Sequence, residues 1–213
     1  MSESVYILGA GGHGRVVLDA LLANGIQVTG ILDAKAQLSG QLFGVPVLGG
    51  DEYLDCVTIA ETFLVNGLGA NPKTFIRKNI FTVMKRRGFT FKSFKHPSAI
   101  VSSTITMGEG CQVMAGVVIQ AEVTLEENVV INTRASIDHN CIISSHAFIA
   151  PGVTLCGHVT VASSAFIGAG AVVIPNIHIG ENAIVGAGAV VTKSVPDGWV
   201  MAGNPAVKIG VND

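Results

Sequence analysis

The segment that decides the fold runs from Ala99 to Ser194 and reads in sixes: AIVSST ITMGEG CQVMAG VVIQAE VTLEEN VVINTR ASIDHN CIISSH AFIAPG VTLCGH VTVASS AFIGAG AVVIPN IHIGEN AIVGAG AVVTKS. The third letter is Val, Ile, Leu or Met in all sixteen hexads, the first is Ala, Val, Ile or Cys, and no insertion breaks the frame. Positions 1 and 3 lie two apart on an extended chain, so both point to the same side. A small and a large aliphatic residue sharing one side, turn after turn, describe a narrow core inside a solenoid. Three hexads close one triangular coil, so residues 18 apart stack at the strand spacing of ~4.8 Å. Positions 4 to 6 form the corners, and the glycines at position 4 (Gly108, Gly168, Gly180, Gly186) are expected to supply backbone angles that other residues avoid.

Before the repeat, residues 1–95 have a different grammar. SVYIL (4–8) reads as a strand, and GAGGHG follows it into a helix starting near Arg15 and stopping at Gly25. Further strands are expected at 27–32, 45–48, 62–66 and 89–94, with a second helix over 72–87. This alternation predicts a small, mainly parallel sheet. Gly9, Gly11 and Gly14 fit G-x-G-x-x-G, with Asp33 closing the next strand. That is the dinucleotide pattern, but a domain with two mononucleotide halves takes ~150 residues. A half-fold holds one nucleotide, with the helix start favouring an anion and Asp33 accepting from a ribose or base. The competing reading is that the glycines only allow tight strand-to-helix packing.

Composition excludes several classes. Of the 213 residues, 49 % are apolar and 13 % charged, with a net charge of −2 and no basic block. A nucleic-acid partner has no electrostatic footprint, and so few charges suit a chain that buries surface against copies of itself. No apolar run is long enough to span a bilayer and the first residues carry no signal-peptide pattern, so a cytoplasmic location is expected. Cys56, Cys111, Cys141 and Cys156 form no CxxC pair, which predicts reduced thiols and no metal site.

The whole pattern resembles the hexapeptide-repeat sugar acetyltransferases: the sialic acid O-acetyltransferases, the UDP-4-amino-sugar N-acetyltransferase of the bacillosamine pathway and GDP-perosamine N-acetyltransferase. The matching pieces are GAGGHGRVV (9–17), ILD (31–33), HPSAIVS (96–102), INT (131–133), IDHNC (137–141) and AGNPA (202–206). The resemblance implies an α/β half-Rossmann domain (1–95), an all-β left-handed parallel β-helix (96–194) and a tail (195–213) near the coenzyme. It implies a homotrimer, acetyl-CoA as co-substrate and a nucleotide-linked amino sugar as acceptor. Carried over by position, Gly12, His13, Gly14, Asp33 and Gly67 contact the nucleotide and Asn132 the sugar. His146, Gly157, Ala169, Ala187 and Lys208 fall at the acetyl-CoA positions; the two alanines also read simply as small corner residues.

Acetyl transfer to an amine needs a base, an oxyanion donor and a site holding the thioester beside the nitrogen. Among His13, His96, His139, His146, His158 and His178, His139 stands out: it sits at a corner, follows Asp138, and stacks one coil below Gly157, whose N–H is expected to serve the oxyanion. The resemblance implies an acid directly after the base where this chain has Asn140, so either Asp138 is expected to partner the imidazolium or the base is less strongly tuned. Cys141 holds an inward position and is expected to be an inert thiol. His178 occupies an outward position. O-acetylation of a sugar hydroxyl and a nucleotide-binding scaffold without turnover are the alternatives, and the nucleotide base stays open.

Overall fold

A computed structural model describes residues 3–35, 40–72 and 75–212. The chain forms two compact units, dividing after Pro97.

The N-terminal unit is built on a six-stranded sheet. Its strands are β1 (Ser4–Leu8), β2 (Gly30–Leu32), β3 (Gln41–Leu42), β4 (Val45–Gly49), β5 (Thr62–Asn66) and β6 (Thr90–Phe91), in the order β3-β4-β2-β1-β5-β6. All neighbours are parallel except the β3/β4 edge hairpin. Helix α1 (Gly12–Ala23) buries Val17, Leu18, Ala20 and Leu21, and α2 (Ile76–Arg86) buries Phe81 and Met84. Phe81 packs on Phe91 at 4.4 Å between ring centroids, in a core with Tyr6, Leu8, Leu32, Leu54, Leu64 and Phe89. Helix α1 starts three residues before Arg15, because the exposed glycines take helical turns at no steric cost. The second strand is shorter than 27–32, and the expected strand over 89–94 divides into Thr90–Phe91 and Phe94–Lys95. Part of the segment expected to open α2, residues 73–74, lies outside the described residues.

From Ser98 the chain is a parallel β-helix. Two-residue strands recur at positions 2 and 3 of each hexad and pair parallel at a shift of 18 residues. One face stacks Ile100–Val101, Val118–Ile119, Ser136–Ile137, Thr154–Leu155, Val172–Val173 and Val190–Val191. A second runs from Thr106–Met107 to His178–Ile179, and the third from Gln112–Val113 to Ile184–Val185. From Cys111 to Val191 every position-1 and position-3 side chain is buried. Past the last hexad the frame shortens: Val200 pairs with Ile184 at a shift of 16, and Val207–Val211 turns back antiparallel on Trp199–Ala202.

The corners correct one expectation. The left-handed backbone falls at position 6, where all fourteen residues from Gly110 to Gly188 have φ between 55° and 71°. Five are glycine, four asparagine and two histidine, with Glu122, Arg134 and Ser164 as the exceptions. Glycine, asparagine and histidine are the residues that tolerate this region best, and others lose about 1–2 kcal/mol there. The position-4 glycines have ordinary φ and serve clearance. A Cβ at Gly168 would lie 2.6 Å from the Ala187 nitrogen, and one at Gly108 2.8 Å from the Glu126 carbonyl carbon. The next coil passes too close for a side chain.

Two substitutions separate these requirements. Gly168→Ala forces backbone apart and is expected to cost about 1–3 kcal/mol, whereas Gly170→Asn, at φ 67° with open space around it, is expected to cost under about 1 kcal/mol. Denaturant unfolding at matched protein concentration measures both.

Candidate active site

Three corners run along the β-helix, one after each face, and they carry different chemistry. Residues 138–140 belong to the corner after the Ser136–Ile137 face, 144–146 to the corner after Ile142–Ile143, and 132–134 to the corner after Val130–Ile131. His139 is therefore on one corner and His146 on the next. Asn132, Ala169 and Ala187 share the third, since 169 and 187 continue the column of Thr133 in steps of 18.

His139 is exposed at position 5 of its hexad. Its Nδ1 lies 2.9 Å from Asn140 Oδ1, and Asn140 Nδ2 donates to Glu122 Oε2 at 2.6 Å. The Asp138 carboxylate accepts from the His139 backbone N–H at 2.8 Å. Asp138 thus braces the corner, and the carboxylate connected to the ring is Glu122, one coil earlier. Two further residues join this corner: Glu122, which the sequence reading did not single out, and His158, which it left without a role and whose ring meets the His139 ring edge-on with centroids 5.1 Å apart. Both lie 18 residues from Asn140 in one column, and that spacing was the available signal.

Gly157 sits above the ring, one coil further along. A Cβ there would fall 2.6 Å from His139 Cε1 and 2.7 Å from Nε2. The residue is buried. Gly157 contributes clearance, letting the imidazole lie against the following coil.

At the second corner, Asn128, fully buried, places Nδ2 3.0 Å from His146 Nδ1. An amide NH₂ only donates, so Nδ1 of His146 accepts and the neutral ring carries its proton on Nε2. His146 is a hydrogen-bond donor with a fixed tautomer. At the third corner, Asn132 Oδ1 accepts from its neighbour Thr133 N–H at 2.8 Å. A groove of about 570 Å³ beside it is lined by Ser98, Gly116, Thr133, Arg134 and Gly152 among others. Ala169 and Ala187 are exposed, and the Ala169 carbonyl accepts from Gly188 N–H at 2.8 Å. Lys208 is exposed, with Nζ 4.2 Å from the centroid of the Trp199 ring. His178 is exposed on its face, as its outward position requires.

The N-terminal unit has its own cleft, about 760 Å³, at the carboxyl ends of β1, β2 and β5. Strand order reverses between β1 and β5, and such a switch point is where open α/β sheets receive ligands. Gly9, Asp33, Lys35, Asp51, Glu52 and Asn79 are among its walls. Asp33 Oδ2 accepts from Ala10 N–H at 2.8 Å and Oδ1 from Lys35 N–H at 2.9 Å, which ties the glycine loop to the end of β2. Burial pushes the Asp51 carboxyl up, opposed by Arg87 and reinforced by Glu52 and Asp33. The cleft is acidic and suits a ligand that donates hydrogen bonds.

The predicted nucleotide residues divide. Gly12 and His13, in the first turn of α1, are exposed and half-buried. Gly14 and Gly67 are buried, and both pack against the Gly9 carbonyl: a Cβ on Gly14 would collide with that oxygen, and one on Gly67 would lie 2.7 Å from it. For these two the packing role is the one observed. Arg77 clamps the neighbouring strand end, donating from Nη1 to the carbonyls of Asn66 at 3.0 Å and Leu68 at 2.9 Å.

Cys141 is buried, and its Sγ is 3.2 Å from the Cys156 carbonyl oxygen. Burial pushes its thiol up to about 11, which leaves it protonated and unreactive at neutral pH.

Comparison with known proteins gives a consistent picture. Residues 4–84 match the PglD N-terminal domain, and residues 158–193 match the bacterial transferase hexapeptide (six repeats). No curated protein matches the chain. Among solved structures, perosamine N-acetyltransferase from Caulobacter crescentus, in complex with CoA and GDP-perosamine, is 36 % identical over 97 % of each chain, with a TM-score of 0.90. The acetyltransferase domain of PglB from Neisseria gonorrhoeae, in complex with acetyl coenzyme A, is 32 % identical over 98 % of this chain and all of that one, with a TM-score of 0.89. WeeI from Acinetobacter baumannii, at 24 % identity and a TM-score of 0.86, shares the fold.

The thiols provide a check on this geometry. Iodoacetamide at pH 8 is expected to label the exposed Cys56 and spare Cys141, with Cys141 labelling rising only as pH approaches about 11. Peptide mass spectrometry after timed exposure reads the order.

Proposed function

We infer, because the chain belongs to the hexapeptide-repeat sugar acetyltransferases that carry a PglD-type N-terminal domain, that it transfers acetyl from acetyl-CoA to the amino group of a nucleotide-linked 4-amino sugar. It is an acyltransferase, and acetyl-CoA is its donor. The observation that carries the reading is the exposed imidazole of His139. Its Nδ1 is occupied by Asn140, so Nε2 is the nitrogen left to take a proton, in a chain 36 % identical over 97 % of its length to an enzyme held with CoA and GDP-perosamine.

In the proposed reaction the neutral amine attacks the thioester carbonyl, and His139 Nε2 takes the proton that the nitrogen sheds. The tetrahedral oxyanion collapses, the carbon–sulfur bond breaks, and the CoA thiolate leaves with the proton returned by the imidazolium. No acyl-enzyme is needed, which agrees with the protonated state of Cys141. His146, a donor through Nε2, and the smooth corner of Ala169 and Ala187 supply the acetyl-CoA side, with Lys208 as the cation for its phosphates. Asn132 contacts the sugar. In the N-terminal unit, Asp33 and Asp51 accept from the hydroxyls or base of the nucleotide, while the first turn of α1, at Gly12 and His13, faces its phosphates. A UDP carrier follows from the bacillosamine-type resemblance.

The base and the acetyl-CoA residues lie on different corners of one prism, and a rigid coil cannot fold them together. A site using both takes one corner from each of two copies, and three such contacts close a ring. The homotrimer that the family resemblance implies supplies such contacts. A cytoplasmic enzyme acting on a soluble sugar nucleotide is the matching setting.

Thiol release with acetyl-CoA and a panel of UDP-, GDP- and dTDP-linked amino sugars tests the substrate class; release only with a sialic acid would establish O-acetylation instead. His139→Asn is expected to lower kcat by about 10²–10⁴-fold with sugar-nucleotide affinity unchanged. Neither turnover nor CoA binding in the wild type would leave a scaffold.

A further inference from the structure

The base needs a defined protonation pattern, and its neighbour does not supply one. Asn140 has a carboxamide, whose oxygen accepts and whose nitrogen donates. Rotated by half a turn it would present Nδ2–H to the ring, force the imidazole proton onto Nε2, and leave no lone pair for the substrate. Something must hold the amide in one sense.

Glu122 does so by its chemistry. An ionised carboxylate only accepts, and Glu122 Oε2 lies 2.6 Å from Asn140 Nδ2. The nitrogen must therefore face Glu122, the oxygen must face His139, and the 2.9 Å bond at Nδ1 must be N–H donating to Oδ1. Nε2 is left bare. Glu122 is itself fixed, with its backbone N–H donating to Thr104 Oγ1 at 3.0 Å. It also occupies a left-handed corner, at φ 59°, where most of its counterparts are glycine, asparagine or histidine. A strained residue kept at such a place points to a task.

We propose that Glu122 is a positioning residue that sets the polarity of a three-member chain, Glu122–Asn140–His139, so that the base presents its unprotonated nitrogen to the substrate. The proposal deepens the assignment of His139 as base and rests on it for its kinetic consequence, though not for the tautomer. The carboxylate stands one coil away from the histidine, and the amide transmits its accepting character across the step.

The test reverses the polarity and then restores it. Lysine only donates. In Glu122→Lys the amide turns its oxygen to the ammonium, and His139 becomes the Nε2–H tautomer. In Glu122→Lys combined with Asn140→Asp, a carboxylate accepts from both sides and the Nδ1–H tautomer returns. Imidazole ¹H–¹⁵N correlation spectra at pH 8 read the tautomer directly. Thiol-release kinetics are expected to show kcat down by about 10²-fold or more in the single variant, KM for the sugar nucleotide little changed, and recovery to within about tenfold in the double. An unchanged Nδ1–H tautomer in the single variant, or failure of the double to restore it, overturns the proposal. If the tautomer switches while acetyl transfer continues at the wild-type rate, the relay stands and His139 is not the base.

Discussion

The structure depends on one geometric constraint: each coil must lie directly on the last, a strand spacing away, with three sharp turns in every eighteen residues. Parallel pairing at a constant shift of 18 satisfies the backbone, and the buried ladder at positions 1 and 3 holds the coils together. The turns are sharp because every sixth residue takes a left-handed conformation. Once those corners are set, the side chains of a column have no freedom to move apart, and chemistry can be built from residues that are remote in sequence.

The surroundings of His139, the proposed base, are built in this way. His139 meets Gly157 above it, His158 at its edge and, through Asn140, Glu122 below. Each of these partners is reached from the motif IDHNC by adding or subtracting one coil. A glycine above the base is needed for clearance, since a methyl group there would occupy the place of the ring. The same stacking isolates functions from one another. Because corners never mix along the coils, the columns bearing His139, His146 and Ala187 stay a face apart.

Much of this was legible in the sequence, for reasons that differ by residue. The hexad frame is strictly periodic, so the inward residues from Cys111 to Val191 could be named before any coordinates. Cys141 followed as inert from its place in that frame. The role of the position-4 glycines was not legible, because composition cannot distinguish a glycine needed for its φ from one needed for its missing Cβ. Gly168 and Gly170 look alike in the string and differ only in what passes beside them. In the N-terminal unit the glycine pattern conflated two demands. Gly14 and Gly67 answer to packing against Gly9, while Gly12 and His13 remain at the helix start. The acidic wall formed by Asp51 and Glu52 with Asp33 went unseen, because those residues converge at the sheet end from separate loops.

Asn140 shows most sharply why a solenoid must be read by column. Along the chain it is a departure from the resemblance: no acid follows His139, and Asp138 is the adjacent carboxylate. Asp138 Oδ1 accepts from the His139 peptide N–H, while the ring's Nδ1 meets Asn140 instead. Down the column the departure closes, because Glu122 stands beneath Asn140 and Thr104 beneath Glu122. A carboxylate moved by eighteen residues has moved one strand spacing, a shorter distance than two residues along an extended chain. In such a fold a motif is not lost when one of its letters changes; its chemistry can be carried by the letter one coil away, provided that the residue between transmits a hydrogen bond of fixed sense.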